Sequence, residues 1–136
     1  MSDMNVKELK IELERANVLI EICQKIGACQ DIDESLEYLL GVLVEQTNSD
    51  RGSLFLNEAQ TGELTSRVMV GNYRREIRIL NHQGIVGHVF TTGNALIVED
   101  AYKDERFDRT IDERSGYHTK SVLCVPIHSD KGAVIG

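Results

Sequence analysis

The chain has 136 residues, 41% hydrophobic and 27% charged, a composition that suits one folded domain and argues against a disordered chain. The formal net charge of −7 argues against a basic surface that binds DNA or RNA, so we expect no nucleic-acid partner. No apolar stretch approaches the roughly 20 residues that cross a bilayer, and the N-terminus has no apolar signal core, so we expect a cytoplasmic protein without membrane attachment.

The N-terminal segment predicts a helix that joins two copies of the chain. Its apolar residues recur at spacings of three and four, the a/d pattern of a coiled coil. We expect residues 1–16 to be a coiled-coil-like helix of a homodimer, although such a helix can also pack only on its own domain. After residue 16 the apolar arc widens, so we expect the helix to enter the core of a domain spanning residues 17–136, and Gly27 to end it. The a/d residues are Val6, Leu9, Leu13, Ala16, Ile20 and Cys23.

A second helix follows this glycine. Asp31 and Glu34 have the spacing of a capping box at its start. Its apolar positions repeat at the helical spacings i, i+3, i+4, i+7 and i+8, and the pattern ends near residues 47–50. These apolar positions are Leu36, Leu39, Leu40, Leu43 and Val44.

In most of the remaining chain the apolar residues alternate with a period of two, which predicts strands. Short turns between these strands predict an antiparallel sheet. A short apolar helix is predicted over 84–92, stopped by Gly93, and residues 101–119 are polar with one or two helical turns. Since a strand that begins at Ala133 stops after four residues, we expect the domain to lack its last strand and C-terminal helix. The predicted strands are 52–57, 63–70, 75–80, 95–100, 120–129 and the one from 133.

Four stretches in this order carry a family resemblance: "RGSLFLNEAQTGEL", "QGIVGHVFTTG", "IVEDAYKDERFD" and "SGYHTKSVLCVPI". Together they resemble a GAF domain, most closely the cyclic-nucleotide-binding GAF domains of phosphodiesterases and bacterial adenylyl cyclases. The resemblance implies an α+β fold, an α/β/α sandwich around a central antiparallel sheet of strand order 2-1-5-4-3 plus one additional strand. The N-terminal helices would cover one face, and the short helix and following loop would roof a ligand pocket on the other. It also implies a regulatory sensor whose output domain is not in this chain.

The same resemblance implies the residues of a small-molecule site. The backbone at Ile85 and Val86 would approach a cyclic phosphate, as the positive end of a helix favours an anion. Side chains of the first strands and of the polar loop would meet the base or ribose. The alternatives are core side chains at the helix start, a water-facing serine and a solvated charged loop. The implied ligand-binding set is Ser53, Met69, Ile85, Val86, Asp108, Asp112, Ser115 and Thr119.

Two departures from the cyclic-GMP-binding relatives favour cyclic AMP over cyclic GMP as the bound ligand. Asp108 follows Phe107 where those relatives have an aromatic residue. Met69 and Val70 stand where they have Phe-Asp, which removes an expected contact to the base. We expect no other cofactor.

Two other functions remain open from the sequence. One is a GAF module that binds nothing and only dimerises and transmits a signal. The other is a GAF-fold reductase of free methionine sulfoxide, which needs a nucleophilic and a resolving cysteine at the pocket. Segment 84–119 has no cysteine, and Cys23, Cys29 and Cys124 form no CxxC pair, so we expect neither catalytic residues, a disulfide framework nor a metal site.

Overall fold

A computed structural model describes residues 5–71 and 75–136. Two helices come first, three strands follow, and helices and strands then alternate, with a 3-10 turn at Ala101–Lys103. None of the helices in these two ranges is both long and apolar enough to cross a membrane. The elements are α1 (Val6–Ala28), α2 (Ile32–Gln46), β1 (Gly52–Glu58), β2 (Glu63–Val70), β3 (Arg78–Leu80), α3 (Gly84–Thr92), β4 (Leu96–Val98), α4 (Thr110–Ser115) and β5 (Val122–Cys124).

The strands form two antiparallel ladders, β1-β2-β3 and β4-β5. Backbone hydrogen bonds of the last residues join them: the Asn57 amide donates to the Ile135 carbonyl at 2.9 Å, and the Ile135 amide donates to the Ile127 carbonyl at 2.8 Å. Residues 133–136 therefore lie between β1 and the continuation of β5. Counting β3 as the additional strand, the order β2, β1, 133–136, β5, β4 is the order that the resemblance implied.

Helix α2 covers one face of the sheet and forms the main core cluster with β1 and β2. Leu40 of α2, Leu54 of β1 and Val68 of β2 are all buried at its centre. Gly52 lets α2 approach the first strand, because a Cβ there would lie 2.5 Å from Val44 Cγ2. The partly buried side chains packed around this centre are Leu36, Leu56, Val70 and Ile127.

The predicted start of α2 is half correct. Asp31 is the N-cap, and its carboxylate accepts a hydrogen bond from the Glu34 amide at 2.8 Å. The Glu34 carboxylate accepts from the Gln30 amide at 3.1 Å, and not from the Asp31 amide as a full capping box requires. A full capping box occurs instead at α1, between Asn5 and Glu8.

Helix α1 does not enter the core as expected. It runs without a break past residue 16 to Ala28, one residue beyond Gly27, and none of its residues is buried. Only Val18 and Ile22 of the helix are half-buried. In α2, Leu36 and Leu40 pack in the cluster with β1 and β2, whereas Leu43 is exposed.

Three strands are shorter than their sequence patterns predict, and of the stretch 95–100 only Leu96–Val98 is a strand. Of the stretch 120–129 only Val122–Cys124 is a strand, because Pro126 has no amide to donate to a ladder. Of the stretch 75–80 only Arg78–Leu80 is a strand; the Ile77 amide donates to the Ser66 hydroxyl at 2.8 Å, so a side chain replaces the ladder acceptor. Residues 72–74 lie outside the described residues.

Helix α3 and the 101–120 loop lie on the face opposite α2. The helix has its predicted bounds, and Gly93 ends it in the left-handed conformation at φ 70°. Its buried residues are Ile85, Gly87 and Val89. Gly87 is required by contact, since a Cβ there would lie 2.6 Å from the carbonyl carbon of His82. The start of α3 is thus fixed against the turn that precedes it.

We expect Gly87→Ala to destabilise the domain by about 1–3 kcal/mol, because the methyl group meets backbone that has no room to move. Denaturant unfolding of the purified chain measures the change.

Gly41→Ala is the matched control. A Cβ at this position of α2 meets nothing within 4 Å. The control should be stabilising by about 0.5–1 kcal/mol, as alanine favours a helix more than glycine does. Equal effects of the two substitutions would contradict the close packing of α3.

Candidate functional site

The first amides of α3 have no hydrogen-bond partner among the described residues. Gln83 is the N-cap, yet its side chain accepts no hydrogen bond from the helix. The Gly87 amide donates to the Gln83 carbonyl at 3.0 Å, which closes the first helical turn. Among the described residues no backbone or side-chain acceptor lies within hydrogen-bond range of the Gly84, Ile85 or Val86 amides. The Ile85 side chain is buried in the core, while its backbone amide has no hydrogen-bond partner among the described residues.

The Asp108 carboxylate lies beside this open helix start. It accepts a hydrogen bond from Gln83 Nε2 at 2.8 Å and one from the Thr110 amide at 2.9 Å. A Cβ added at Gly84 would lie 3.8 Å from the Cβ of Asp108. Hydrogen bonding to Thr110, and then to Gln83, holds the pKa of Asp108 below its ordinary value. A charged carboxylate therefore faces the region where an anion would meet the amides.

Asp112 is a buried carboxylate, 7% exposed, that joins three parts of the loop. Its Oδ2 accepts from the Tyr102 hydroxyl and from the Thr119 amide, each at 2.7 Å. Its Oδ1 accepts from the Thr119 hydroxyl at 2.7 Å. Burial raises the pKa of Asp112, but the hydrogen bonds from Thr119 and Tyr102 outweigh it and hold the pKa below its ordinary value. The ionised side chain ties α4 to the segments on both sides of it.

Aromatic contacts complete this loop. The Tyr102 ring stacks on His118 with centroids 4.3 Å apart and an interplanar angle of 8°. The Phe107 and Tyr102 ring centroids are 5.2 Å apart, and the Arg109 guanidinium lies 4.9 Å from the Tyr102 ring centroid. Segment 101–119 is therefore a packed unit, unlike the solvated charged loop that its composition also allowed.

The far end of the loop is anchored at the start of β1. The Tyr117 hydroxyl donates to the Asp50 carboxylate at 3.2 Å, and the Arg51 guanidinium lies 3.8 Å from the Tyr117 ring centroid. The Tyr117 amide donates to the Ser115 hydroxyl at 3.2 Å. Since α4 has six residues, this end lies about 9 Å along the helix axis from Asp108 and Thr110.

The candidate residues of α3 and of the loop lie at the two ends of α4, and the other two lie on β1 and β2. Ser53 is exposed on β1 and lies opposite half-buried Met69 of β2, near the end anchored by Tyr117. Ile85, Val86 and Asp108 lie at the α3 end, and Ser115 and Thr119 lie at the other end, with Asp112 between them. Among the described residues no side-chain hydrogen bond joins Ser53 or Met69 to this loop.

A groove of about 720 Å³ is lined by residues of α2 and of the β1-β2-β3 ladder. Of the candidate residues only Met69 borders it. Carboxylates outnumber arginines in its lining, so it disfavours an anion. The charged lining residues are Asp33, Glu37, Glu58, Glu76, Arg67 and Arg78.

Sequence reasoning missed three side chains of this region. Gln83 precedes Gly84 at the helix start, a position at which an N-cap contact is a reasonable expectation. Tyr102 and His118 are far apart along the chain, and no periodicity brings them together. Only the folding of the 101–119 loop places them face to face.

We expect Asp112→Asn to lower the stability of the domain at neutral pH, because an amide cannot accept all three hydrogen bonds. The folded-state pKa of Asp112 lies below that of an unfolded aspartate, so its contribution to stability is present above the unfolded pKa of about 4 and is lost as the pH falls through the folded-state pKa. The variant should therefore lose less stability than the wild type on acidification, as measured by unfolding at several pH values.

Glu113→Gln is the control for this comparison, since Glu113 is an exposed neighbour on the same helix. It should keep the acid profile of the wild type. A wild-type profile in Asp112→Asn would show that the carboxylate does not stabilise the loop.

Comparison with known proteins agrees with this architecture. The family model described as the GAF domain matches residues 31–136. A Caenorhabditis elegans protein named "Probable 3',5'-cyclic phosphodiesterase pde-5" is 32% identical over 134 residues, covering 89% of this chain and 18% of its own length. "Dual 3',5'-cyclic-AMP and -GMP phosphodiesterase 11" of Drosophila melanogaster is 32% identical over 155 residues, covering 100% of this chain and 10% of its own. The chain thus spans less than a fifth of either relative.

Among solved structures, the GAF domain of an Acinetobacter phosphoenolpyruvate-protein phosphotransferase superposes with a TM-score of 0.76. The sequence identity is 21%, and the superposition covers 90% of this chain and 73% of that one. At this identity the likeness concerns the fold alone.

Proposed function

We propose, since the chain belongs to the GAF domain family, that it is a regulatory module that binds a cyclic nucleotide, with cyclic AMP favoured over cyclic GMP. The bound state would be passed to an output domain. The observation that carries the proposal is the helix start at 84–86, whose amides are open.

The open amides suit a phosphate group. Unpaired N–H groups and the positive end of the helix dipole attract an anion without a lysine or arginine. This matters in a chain whose formal net charge is −7. A cyclic phosphate carries a single negative charge, so its repulsion by Asp108 would be smaller than that of a phosphate monoester.

The other candidate residues suit the base by their chemistry. Ser53, Ser115 and Thr119 supply hydroxyl groups that form hydrogen bonds, and Met69 offers an apolar, polarisable contact. Met69 and Val70 supply no carboxylate for the ring N–H and amino group of guanine. This lack supports adenine as the bound base.

A reductase activity receives no support from the cysteines. Burial raises the pKa of the Cys124 thiol, which makes its reactive thiolate scarcer. Cys23 and Cys29 belong to α1 and its C-cap, away from segment 84–119. A cytoplasmic site of action is part of the proposal and rests on the sequence.

Titration calorimetry with cyclic AMP and cyclic GMP tests the function. We expect cyclic AMP to bind more tightly, and Asp108→Asn to tighten its binding about threefold to tenfold, since a negative charge near the phosphate is removed.

Asp130→Asn removes an equal charge from an exposed turn and should leave the affinity unchanged. Absence of heat with either nucleotide at millimolar concentration would rule out the proposed ligand class.

We also propose that α1 joins two copies of the chain. Val6, Leu9 and Leu13 of the a/d seam are 68%, 48% and 61% exposed. A row of exposed apolar side chains on a soluble helix indicates a protein partner, and the heptad spacing fits a second α1.

Replacement of Leu13 and Ile20 by aspartate should convert the dimer to a monomer, because two charges would be placed in the apolar seam. Sedimentation equilibrium measures the association. Replacing Lys7 and Arg15 by aspartate, outside the a/d positions, is the control and should weaken the dimer much less. A wild-type chain that stays monomeric at high concentration would refute the interface.

A further inference from the structure

We propose that the outer edge of β4 pairs with the same edge of a second copy of the chain, so that the two sheets continue as one antiparallel sheet. A two-fold axis at Ile97 would relate the copies and place the two Ile97 side chains opposite each other. This contact is separate from the proposed α1 interface and goes beyond the proposed function.

Strand β4 has a free edge. Its neighbour in the ladder is β5, and among the described residues Leu96–Val98 forms no backbone hydrogen bond outside that ladder. An unpaired strand presents a row of amide and carbonyl groups that another strand can bind. The last position of β4 in the strand order therefore leaves one side of it available to a second chain.

The exposed side of β4 is apolar. Ile97 is 75% exposed and lies directly opposite Leu123 of β5, which is 55% exposed. The next residue, Val98, is buried, since successive side chains of a strand point to opposite sides of the sheet. Two large aliphatic side chains thus form an apolar patch that reaches the free edge.

The other edge of the sheet, β3, carries charge, whereas β4 does not. In β3 the Arg78 guanidinium forms ion pairs with Glu63 at 3.3 Å and with Glu76 at 3.2 Å. Charged side chains on an edge strand keep other strands from joining it. Residues 94–98 contain no charged side chain, so β4 is the edge suited to a second strand.

The residues around Ile97 favour a self-pairing centred on it. In this register Ala95 of one copy lies opposite Glu99 of the other. Asn94 then lies opposite Asp100, whose carboxylate can accept a hydrogen bond from the Asn94 amide group. No carboxylate faces another carboxylate, whereas a register centred on Glu99 would set two of them against each other.

Pairing in this register also joins the two apolar patches. Across the junction the exposed side carries Leu123, Ile97, Ile97 and Leu123, on strands about 4.8 Å apart. Apolar cross-strand pairs stabilise a sheet, and the four side chains shield one another from water. Because β4 has only three residues, we expect a weak contact that forms at high protein concentration.

Disulfide formation tests the register. We expect Ile97→Cys to form an interchain disulfide in a chain whose native Cys23, Cys29 and Cys124 are replaced by alanine. The Cβ atoms of directly opposite residues lie about 5 Å apart, close enough for small shifts to allow the bond. Oxidised glutathione is the oxidant, and electrophoresis without reducing agent measures the product.

Leu123→Cys in the same background is the matched control, because Leu123 is exposed on the same side of the ladder. In the proposed register the two Leu123 positions are three strand spacings apart, about 14 Å, which is beyond the reach of a disulfide. Equal crosslinking of the two variants would indicate random collision or face-to-face packing, and it would overturn the inference.

Charge substitutions test the contact without cysteines. Ile97→Lys should weaken it about tenfold, because two lysines would face each other, and mixing Ile97→Lys with Ile97→Glu should restore it. Leu80→Lys, at an exposed leucine of β3, is the control and should leave the association unchanged. Sedimentation velocity over a range of concentrations measures the association, and unfolding midpoints identify variants that do not fold.

The outcomes separate this inference from the proposed function. The β4 contact should persist in the chain with Leu13 and Ile20 replaced by aspartate, and Ile97→Lys should leave the α1 dimer intact. Absence of the Ile97→Cys disulfide overturns the inference, whatever the chain binds. If the cysteine-free chain does not fold, the mixture of Ile97→Lys with Ile97→Glu is decisive, since a mixture that associates no better than Ile97→Lys alone contradicts the pairing.

Discussion

The buried carboxylate of Asp112 is the interaction on which the loop side of the domain depends. A charge in this position is tolerated because three donors, from Tyr102 and Thr119, replace the water that it loses. These donors come from before and after α4, so one side chain holds a long irregular segment in one shape. The stacking of Tyr102 on His118 adds to the same arrangement.

Because the loop is fixed, the unpaired amides at the start of α3 have defined neighbours. Free amides at a helix start are common, and alone they do not make a site. Here the loop brings Asp108 next to them and carries hydroxyl groups to the other end of α4. A ligand that spans both ends would meet an anion-binding end and a hydrogen-bonding end. The proposed site is therefore a product of two elements, α3 and the 101–119 loop, that Asp108 and Gln83 bring together.

The two faces of the sheet serve different purposes. On one face α2 and the strands supply the main apolar cluster around Leu40, Leu54 and Val68. Helix α1 stays outside this cluster with its apolar seam exposed, so it is available to a second copy. In the proposed function, binding on the loop face and dimerisation through α1 are joined through the sheet and α2.

The sequence alone determined those elements whose causes are local. The periodicity of α2, the cap at Asp31, the bounds of α3 with its stop at Gly93, and the β1-β2 hairpin all follow from neighbouring residues. Tertiary structure decided the rest, because it depends on contacts between distant residues: the short strands around Ile77 and Pro126, the exposure of α1, and the bonding of Asp112 to Tyr102 and Thr119. The resemblance named Asp112 as a ligand contact, but only the folded loop shows that its oxygens bind the chain's own donors. Hydrogen-bond direction is a property of paired atoms, and no pattern along the sequence contains it.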